Sequence, residues 1–394
     1  MNGVKVVELG LWIAGPSCGG ILADWGADVV KVEPLAGDPF RGLDWLFPDS
    51  MNPPFELDNR GKRSACVDIS TEAGVSIVHD LLAEADVFVT NYRAGGLERA
   101  GLAYEQLAER YPRLVYAHVS GYGRSGDERD RAAYDVGAFY SRGGIGSALT
   151  PEGNDIPYPR GGMGDHMTGL AAAGGVAAAL YSRSQSGEGQ LVATSLLRLG
   201  AYMHGWDHNV TARTGADTEP WTRSSPPNPL INGYRCSDGR WVWLLGMEAD
   251  RHWPNVVQAL DLVHLEHDPR FDSIEARRDN AAELVALMDE ALATRSREEW
   301  APILDHHDVW WARVQSTLDL RSDPQARHAG CYVEAPVADG TTAEMVATPV
   351  DFGTTTWVVR EPPPELGQHT ELVLMELGKD WDEIDALRAA GAIP

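Results

Sequence analysis

Residues 4–33 read VKVVELGLWIAGPSCGGILADWGADVVKVE, a strand, a helix and a second strand in quick succession. Residues 4–9 are a short apolar run. Gly15-Pro16 then opens a helix, with proline at a position that needs no N–H, and the helix runs to about Trp25. Residues 28–33 (DVVKVE) form the second strand. Downstream, residues 71–84 read as a helix with a threonine cap and Glu72 in its first turn. Residues 86–91 (DVFVTN) are a third strand, residues 104–110 a helix and residues 114–120 (LVYAHVS) a fourth strand. Short apolar strands alternating with helices predict an α/β fold, a Rossmann-like, parallel, doubly wound sheet. Ligands of such sheets sit beyond the carboxyl ends of the strands, so the residues after each strand are the place to look for chemistry.

Further along, residues 135–149 and 166–182 read as helices rich in Gly and Ala, suited to close packing in an interior. The cluster SSPPNP at 224–229 breaks the pattern and reads as a linker. Residues 233–246 form a hairpin turning at Ser-Asp-Gly, residues 248–320 are mostly helical, Asp339-Gly340 marks another hairpin and residues 370–390 a final helix pair. The organisation expected is a large domain over 1–198, a linker over 199–225 and a smaller α+β domain over 226–332. Residues 333–394 return to complete the large domain.

The 394 residues are 43% apolar and 23% charged, a globular composition with room for two cores. The start lacks a signal-peptide pattern and the apolar run 170–180 is too short to span a bilayer, which predicts a cytoplasmic protein with no membrane partner. A net charge of −25 argues against nucleic acid. Four cysteines without a CxxC pair predict packed, reduced thiols. His306-His307-Asp308 is not expected to hold a metal, since neighbouring side chains diverge.

Four segments could carry chemistry. After the first strand, Leu11 to Pro16 offers small residues and a helix N-terminus, suited to a close-approaching anion or simply to a tight turn. It is not GxGxxG, which counts against a nicotinamide dehydrogenase. Asn59-Arg60-Gly61-Lys62-Arg63-Ser64 could grip phosphates or be a solvated loop. Residues 91–99 (NYRAGGLER) begin where the third strand ends. Finally, Gly161 to Gly169 (GGMGDHMTG) places Asp165 at a helix start, as a cap or as a carboxylate nucleophile with amides near it. Tryptophans 12, 45, 206, 221, 310 and 311 could line an apolar pocket or pack in the core.

Together these segments resemble the family III CoA-transferases, the group that contains formyl-CoA transferase and the carnitine CoA-transferase. The opening segment, NRGKRSACVDIS, ADVFVTNYRAGGLERAGL, LVYAHVSGYGRSG, GDHMTG and LGQHTELVLMELG match in order over nearly the whole chain. The resemblance implies that Asp165 is the nucleophile, passing through an aspartyl anhydride and an aspartyl-CoA thioester. It implies CoA contacts at Ala14, the Lys31 strand end, Lys62, Val67, Asn91 and Arg99, with Arg63 and Tyr134 beside them. Acyl-CoA and a carboxylic acid are then the substrates, with no permanently bound cofactor and no metal. Ring-shaped subunits interlocked as a homodimer are implied as well. The chain departs from formyl-CoA transferase at Ile13, Pro34 and Ser70, and residues 225–229 (SPPNP) stand where that enzyme has a mobile glycine run. Closure over the aspartate is therefore expected to differ, and oxalate and formyl-CoA are not expected substrates.

The same fold serves α-methylacyl-CoA racemases, which need a histidine as second base. That slot reads Ala133-Tyr134-Asp135, and a tyrosine, with an ordinary pKa near roughly 10, is a poor base near neutrality. His166 could substitute, but it diverges from Asp165 on a helix. A thioesterase and a catalytically inactive CoA-binding protein are the remaining alternatives.

Overall fold

The computed structural model describes residues 1–48, 51–355, 357–359 and 361–394. The chain divides into two compact units, one of residues 1–146, 157–217 and 328–394, the other of residues 147–156 and 218–327.

The first unit is built on strands β1 (Lys5–Leu9), β2 (Asp28–Glu33), β3 (Arg63–Cys66), β4 (Val87–Thr90), β5 (Val115–Ser120) and β6 (Leu191–Ser195). They pair in the order β3-β2-β1-β4-β5-β6, every pair parallel. This is the doubly wound order whose direction reverses between β1 and β4. Alternation within the strands explains the layers. Val7, Leu9, Val30, Val32 and Phe88 enter one core, while Val6, Val29, Val87, Val89 and Val115 enter the other.

Helices follow in chain order: α1 (Ala14–Asp24), α2 (Pro53–Asn59), α3 (Glu72–Glu84), α4 (Ala94–Arg99), α5 (Tyr104–Arg110), α6 (Ile145–Ala148), α7 (Met163–Ser186), α8 (Leu196–Met203) and α9 (Gly205–Thr214). α3 packs on the first core with the C-terminal helices Thr370–Glu376 and Trp381–Ala389, while α1, α7 and α8 cover the second. The Thr71 hydroxyl caps α3 by accepting from the Gly74 N–H at 3.0 Å.

Two strands carry no apolar run in the sequence. β3 is RSAC and β6 is LVATS, and both form the edges of the sheet, where one flank needs no partner strand. The helix expected over 135–149 is broken into a π-helix, Val136–Ser141, and α6. Gly143 and Gly144 cause the break. Gly144 has φ 89°, and the Gly143 backbone lies so close to Gly200 that a side chain would overlap it.

The second unit holds a three-stranded antiparallel sheet of Gly233–Arg235, Trp241–Leu244 and Trp311–Val314. Its core gathers Trp253, Phe271, Leu284, Met288 and Trp300. The third of these strands lies inside the stretch read as mostly helical. The hairpin at Asp339-Gly340 forms as expected, joining Tyr332–Pro336 to Thr342–Val346. Cys18, Cys66 and Cys236 are buried free thiols, and Cys331 is half-buried. No helix among the described residues is long and apolar enough to cross a membrane.

Candidate active site

Where the sheet order reverses, the loops leaving β1 and β4 part and leave a crevice. Asn91 stitches them together. Its Nδ2 donates to the Leu11 carbonyl at 2.7 Å, and its Oδ1 accepts from the Leu11 N–H at 3.0 Å. Gly15 is required beneath this stitch, because a Cβ there would lie 3.0 Å from the Asn91 side chain. A cavity of about 620 Å³ opens at this point, and Ala14, Asn91, Arg99, Tyr134 and Asp165 all line it.

Asp165 reaches the cavity from the first turn of α7. Gly162 starts that helix in the left-handed conformation at φ 80°. Asp135 holds the start by accepting from the Gly164 N–H at 3.2 Å. The glycines flanking Asp165 are packing requirements. A Cβ on Gly164 would lie 2.5 Å from the Phe139 ring, and one on Gly169 would overlap the Ser17 hydroxyl of α1. Asp165 is therefore a helical residue, and the cap position belongs to Gly162.

The Asp165 carboxylate is 8% exposed, and among the described residues it accepts no hydrogen bond. Burial pushes its pKa up to about 7, with the Asp135 charge adding to the effect and His166 opposing it. His166 turns away toward α2, where its Nε2 lies 3.0 Å from Asp58 Oδ1. Burial works against its charged form, but the Asp58 carboxylate outweighs this and raises its pKa. Asp58 in turn is raised by burial, and among the described residues its Oδ2 has no hydrogen-bond partner.

The opposite wall is aromatic. Trp12 lies in the left-handed region at φ 63°, a strain of about 1–3 kcal/mol for a residue with a side chain. The Trp12 N–H donates to Asp38 Oδ1 at 3.0 Å, and its ring meets Tyr134 edge to face at 5.4 Å. Of the six tryptophans considered from sequence, Trp12 alone lines this cavity. Trp45, Trp206 and Trp221 are exposed in the single chain.

Four expected CoA contacts are not brought to the cavity. Lys31 is fully buried, and its ammonium donates to Glu8 (3.1 Å), the Gly10 carbonyl (2.9 Å) and Asp38 (2.9 Å). An ammonium has three N–H donors, so none is left for a phosphate. Lys62 is in the same position. It pairs with Glu8 at 2.7 Å and donates to the Pro16 carbonyl and Asn59. Arg63 opens β3 at the amino-terminal edge of the sheet, opposite the cavity, where it pairs with Asp28 and Glu376. Val67 is buried in the sheet core. Unlike the cations of a solvated loop, Lys31 and Lys62 share the buried Glu8 and hold the β1–α1 turn in place.

Arginines supply the charge at the cavity instead. Arg93 and Arg99 line it, and among the described residues neither has a carboxylate partner. Arg129, by contrast, is engaged by Glu98 at 2.9 and 3.0 Å. Arg93 lay within the NYRAGGLER segment but was not singled out there, because nothing local separates it from Arg99.

The sequence profile of CoA-transferase family III matches residues 1–370. The chain belongs to CoA-transferase family III. This family III CoA-transferase is 35% identical over 389 residues to (R)-2-hydroxy-4-methylpentanoate CoA-transferase of Clostridioides difficile, covering 98% of this chain and 97% of that protein. It is 33% identical over 397 residues to cinnamoyl-CoA:phenyllactate CoA-transferase of Clostridium sporogenes, covering 98% and 95%. The crystal structure of a CAIB/BAIF family protein from Brucella suis superposes with a TM-score of 0.83 at 29% identity, covering 95% and 98%. Transfer of CoA is the activity this site has to explain.

Proposed function

We propose that this enzyme moves CoA from an acyl-CoA donor to a carboxylic acid through covalent intermediates on Asp165. One observation carries the reading. A largely buried carboxylate, with no hydrogen-bond donor among the described residues, lines a cavity at the switch point of the sheet. A carboxylate in a largely buried site is a stronger nucleophile than a fully hydrated one, and the α7 N-terminus favours the negative charge that develops beside it.

The steps balance without an added reagent. An Asp165 oxygen attacks the thioester carbonyl, the C–S bond breaks, and CoA leaves as thiolate from an acyl-aspartyl anhydride. The thiolate attacks the aspartyl carbonyl of that anhydride, releasing the donor acid and leaving an aspartyl-CoA thioester. The acceptor carboxylate then displaces the thiolate to form a second anhydride. Attack of the thiolate on the acceptor carbonyl releases the new thioester and restores Asp165. Arg93 and Arg99 take the phosphates, while Ala14, Asn91 and Tyr134 border the pantetheine and acyl portions. The names of two relatives carry acids with branched or phenyl side chains, which supports an apolar-substituted acid as acceptor.

An interlocked homodimer belongs to the same proposal. Tyr181, Tyr202, Trp206 and Val210 leave an exposed apolar row along α7 to α9, an area a second copy would cover.

The test is mass spectrometry of purified protein offered acyl-CoA donors and free acids, beside Asp165→Ala. CoA appearing on a new acid with wild type alone supports the reading. Loss of α-deuterium from a 2-methylacyl-CoA without exchange would replace it with racemisation, for which Tyr134 stands in the histidine slot.

A further inference from the structure

We propose that Trp12 is a specificity-determining residue, the wall against which an apolar acyl side chain packs while its carbonyl is attacked by Asp165. The inference rests on the transferase reading and extends it to the choice of acyl group.

The lining of the cavity is divided by chemistry. Arg93 and Arg99 form a cationic part suited to phosphates, with Arg129 and Arg131 beside them already paired to Glu98 and Glu128, whereas the residues after β1 form an apolar part that shares the cavity with Asp165. Trp12 dominates that apolar part, and its placement is forced. Its backbone sits in the left-handed region, where a side chain is strained, and glycine would be the relaxed choice. The surroundings impose the conformation. Asp38 accepts the Trp12 N–H while its other oxygen holds Lys31, and Asp38 also accepts the Phe40 N–H at 3.0 Å. The ring is then fixed on two sides, against Phe40 at 6.1 Å and edge to face against Tyr134 at 5.4 Å.

A bulky indole held in a strained backbone on a cavity wall is a rigid surface, and it does not have to reorganise when a substrate arrives. An aromatic surface rewards contact with methyl, methylene and phenyl groups. It offers no partner to a second carboxylate. The class expected is therefore acyl groups with a branched aliphatic or phenyl side chain. An acetyl group has no side chain to fill the wall.

The experiment compares kcat/KM for 4-methylpentanoyl-CoA and 3-phenylpropanoyl-CoA with that for acetyl-CoA, using one common acceptor acid. Wild type, Trp12→Gly and Trp12→Phe are assayed. Glycine suits the left-handed backbone, so Trp12→Gly removes the wall without adding strain. The preference for the two apolar donors over acetyl-CoA should fall about tenfold or more in Trp12→Gly, the usual worth of one or two methylenes of contact. Trp12→Phe should restore most of it. A merely structural tryptophan would lower the rate for all three donors together. Unchanged preference in Trp12→Gly, with transfer intact, would overturn this inference and leave the transferase reading standing. Absence of transfer by wild type from every donor would overturn both.

Discussion

Asp165 is under two opposing demands. Burial makes its carboxylate reactive, but the same burial and the nearby Asp135 favour the neutral acid, with a pKa of about 7. In the proposed mechanism the ionised form is the nucleophile, so kcat/KM for the donor should rise with pH and level off above about 7. A rate independent of pH between 5 and 8 would contradict this. Stability should run the other way. Between about pH 4 and 7 the folded protein keeps a proton that the unfolded chain has released, so stability falls as pH rises. A displacement of that size corresponds to about 4 kcal/mol at pH 8, where the full penalty applies. Asp165→Asn should abolish exchange and still melt above wild type at pH 8, with the gap closing toward pH 4. Thermal unfolding across that range checks the sign.

At the scale of elements, two features anchor the site. The first is the close contact of α1 and α7. Gly169→Ala would force a methyl into Ser17 and should cost about 1–3 kcal/mol. Gly174→Ala, at a position of the same helix with no atom of its own chain within 4 Å, should instead stabilise by about 0.4–1 kcal/mol. Denaturant midpoints of the two variants should move in opposite directions. The second anchor is the Lys31 ion cluster joining β1, β2 and the Asp38 turn. Lys31→Ala should lose about 3–5 kcal/mol, because Asp38 would be left buried without its cation and Glu8 with Lys62 alone. If Lys31 bound a phosphate instead, the urea midpoint would hold and KM for acyl-CoA would rise.

For the whole molecule, the exposed apolar row of α7 to α9 and the proposed interlock make one prediction. Sedimentation should give twice the 42.9 kDa of the chain, and the species should persist on dilution to nanomolar concentration, since threaded rings cannot part without unfolding. A monomer, or a dimer that dissociates freely, would remove the interlock. The net charge of −25 bears on this scale too. In so acidic a protein an anionic substrate needs concentrated positive charge, and Arg93 and Arg99 supply it at the cavity.

Local pattern was enough for the strands at 28–33, 86–91 and 114–120, for the Thr71 cap and for the GDHMTG segment at a helix start. Each of these depends on neighbours within a few residues, through side-chain alternation or a cap. Ala14, Asn91, Arg99 and Tyr134, which the resemblance implies as CoA contacts, line one cavity with Asp165. β3 and β6 were not legible, because an edge strand needs little apolar sequence when its neighbour supplies the pairing. The partners of Lys31 and Lys62 were not legible for a related reason. A lysine reads as a cation in sequence, but its partners, Glu8 and Asp38 for one and Glu8 and Pro16 for the other, come from separate segments. The raised pKa of Asp165 and the strained Trp12 likewise exist only once Asp135, Asp38 and Tyr134 are folded against them. Charge environment and backbone strain are properties of the assembled chain, whereas the period of a strand or the cap of a helix is written in adjacent residues.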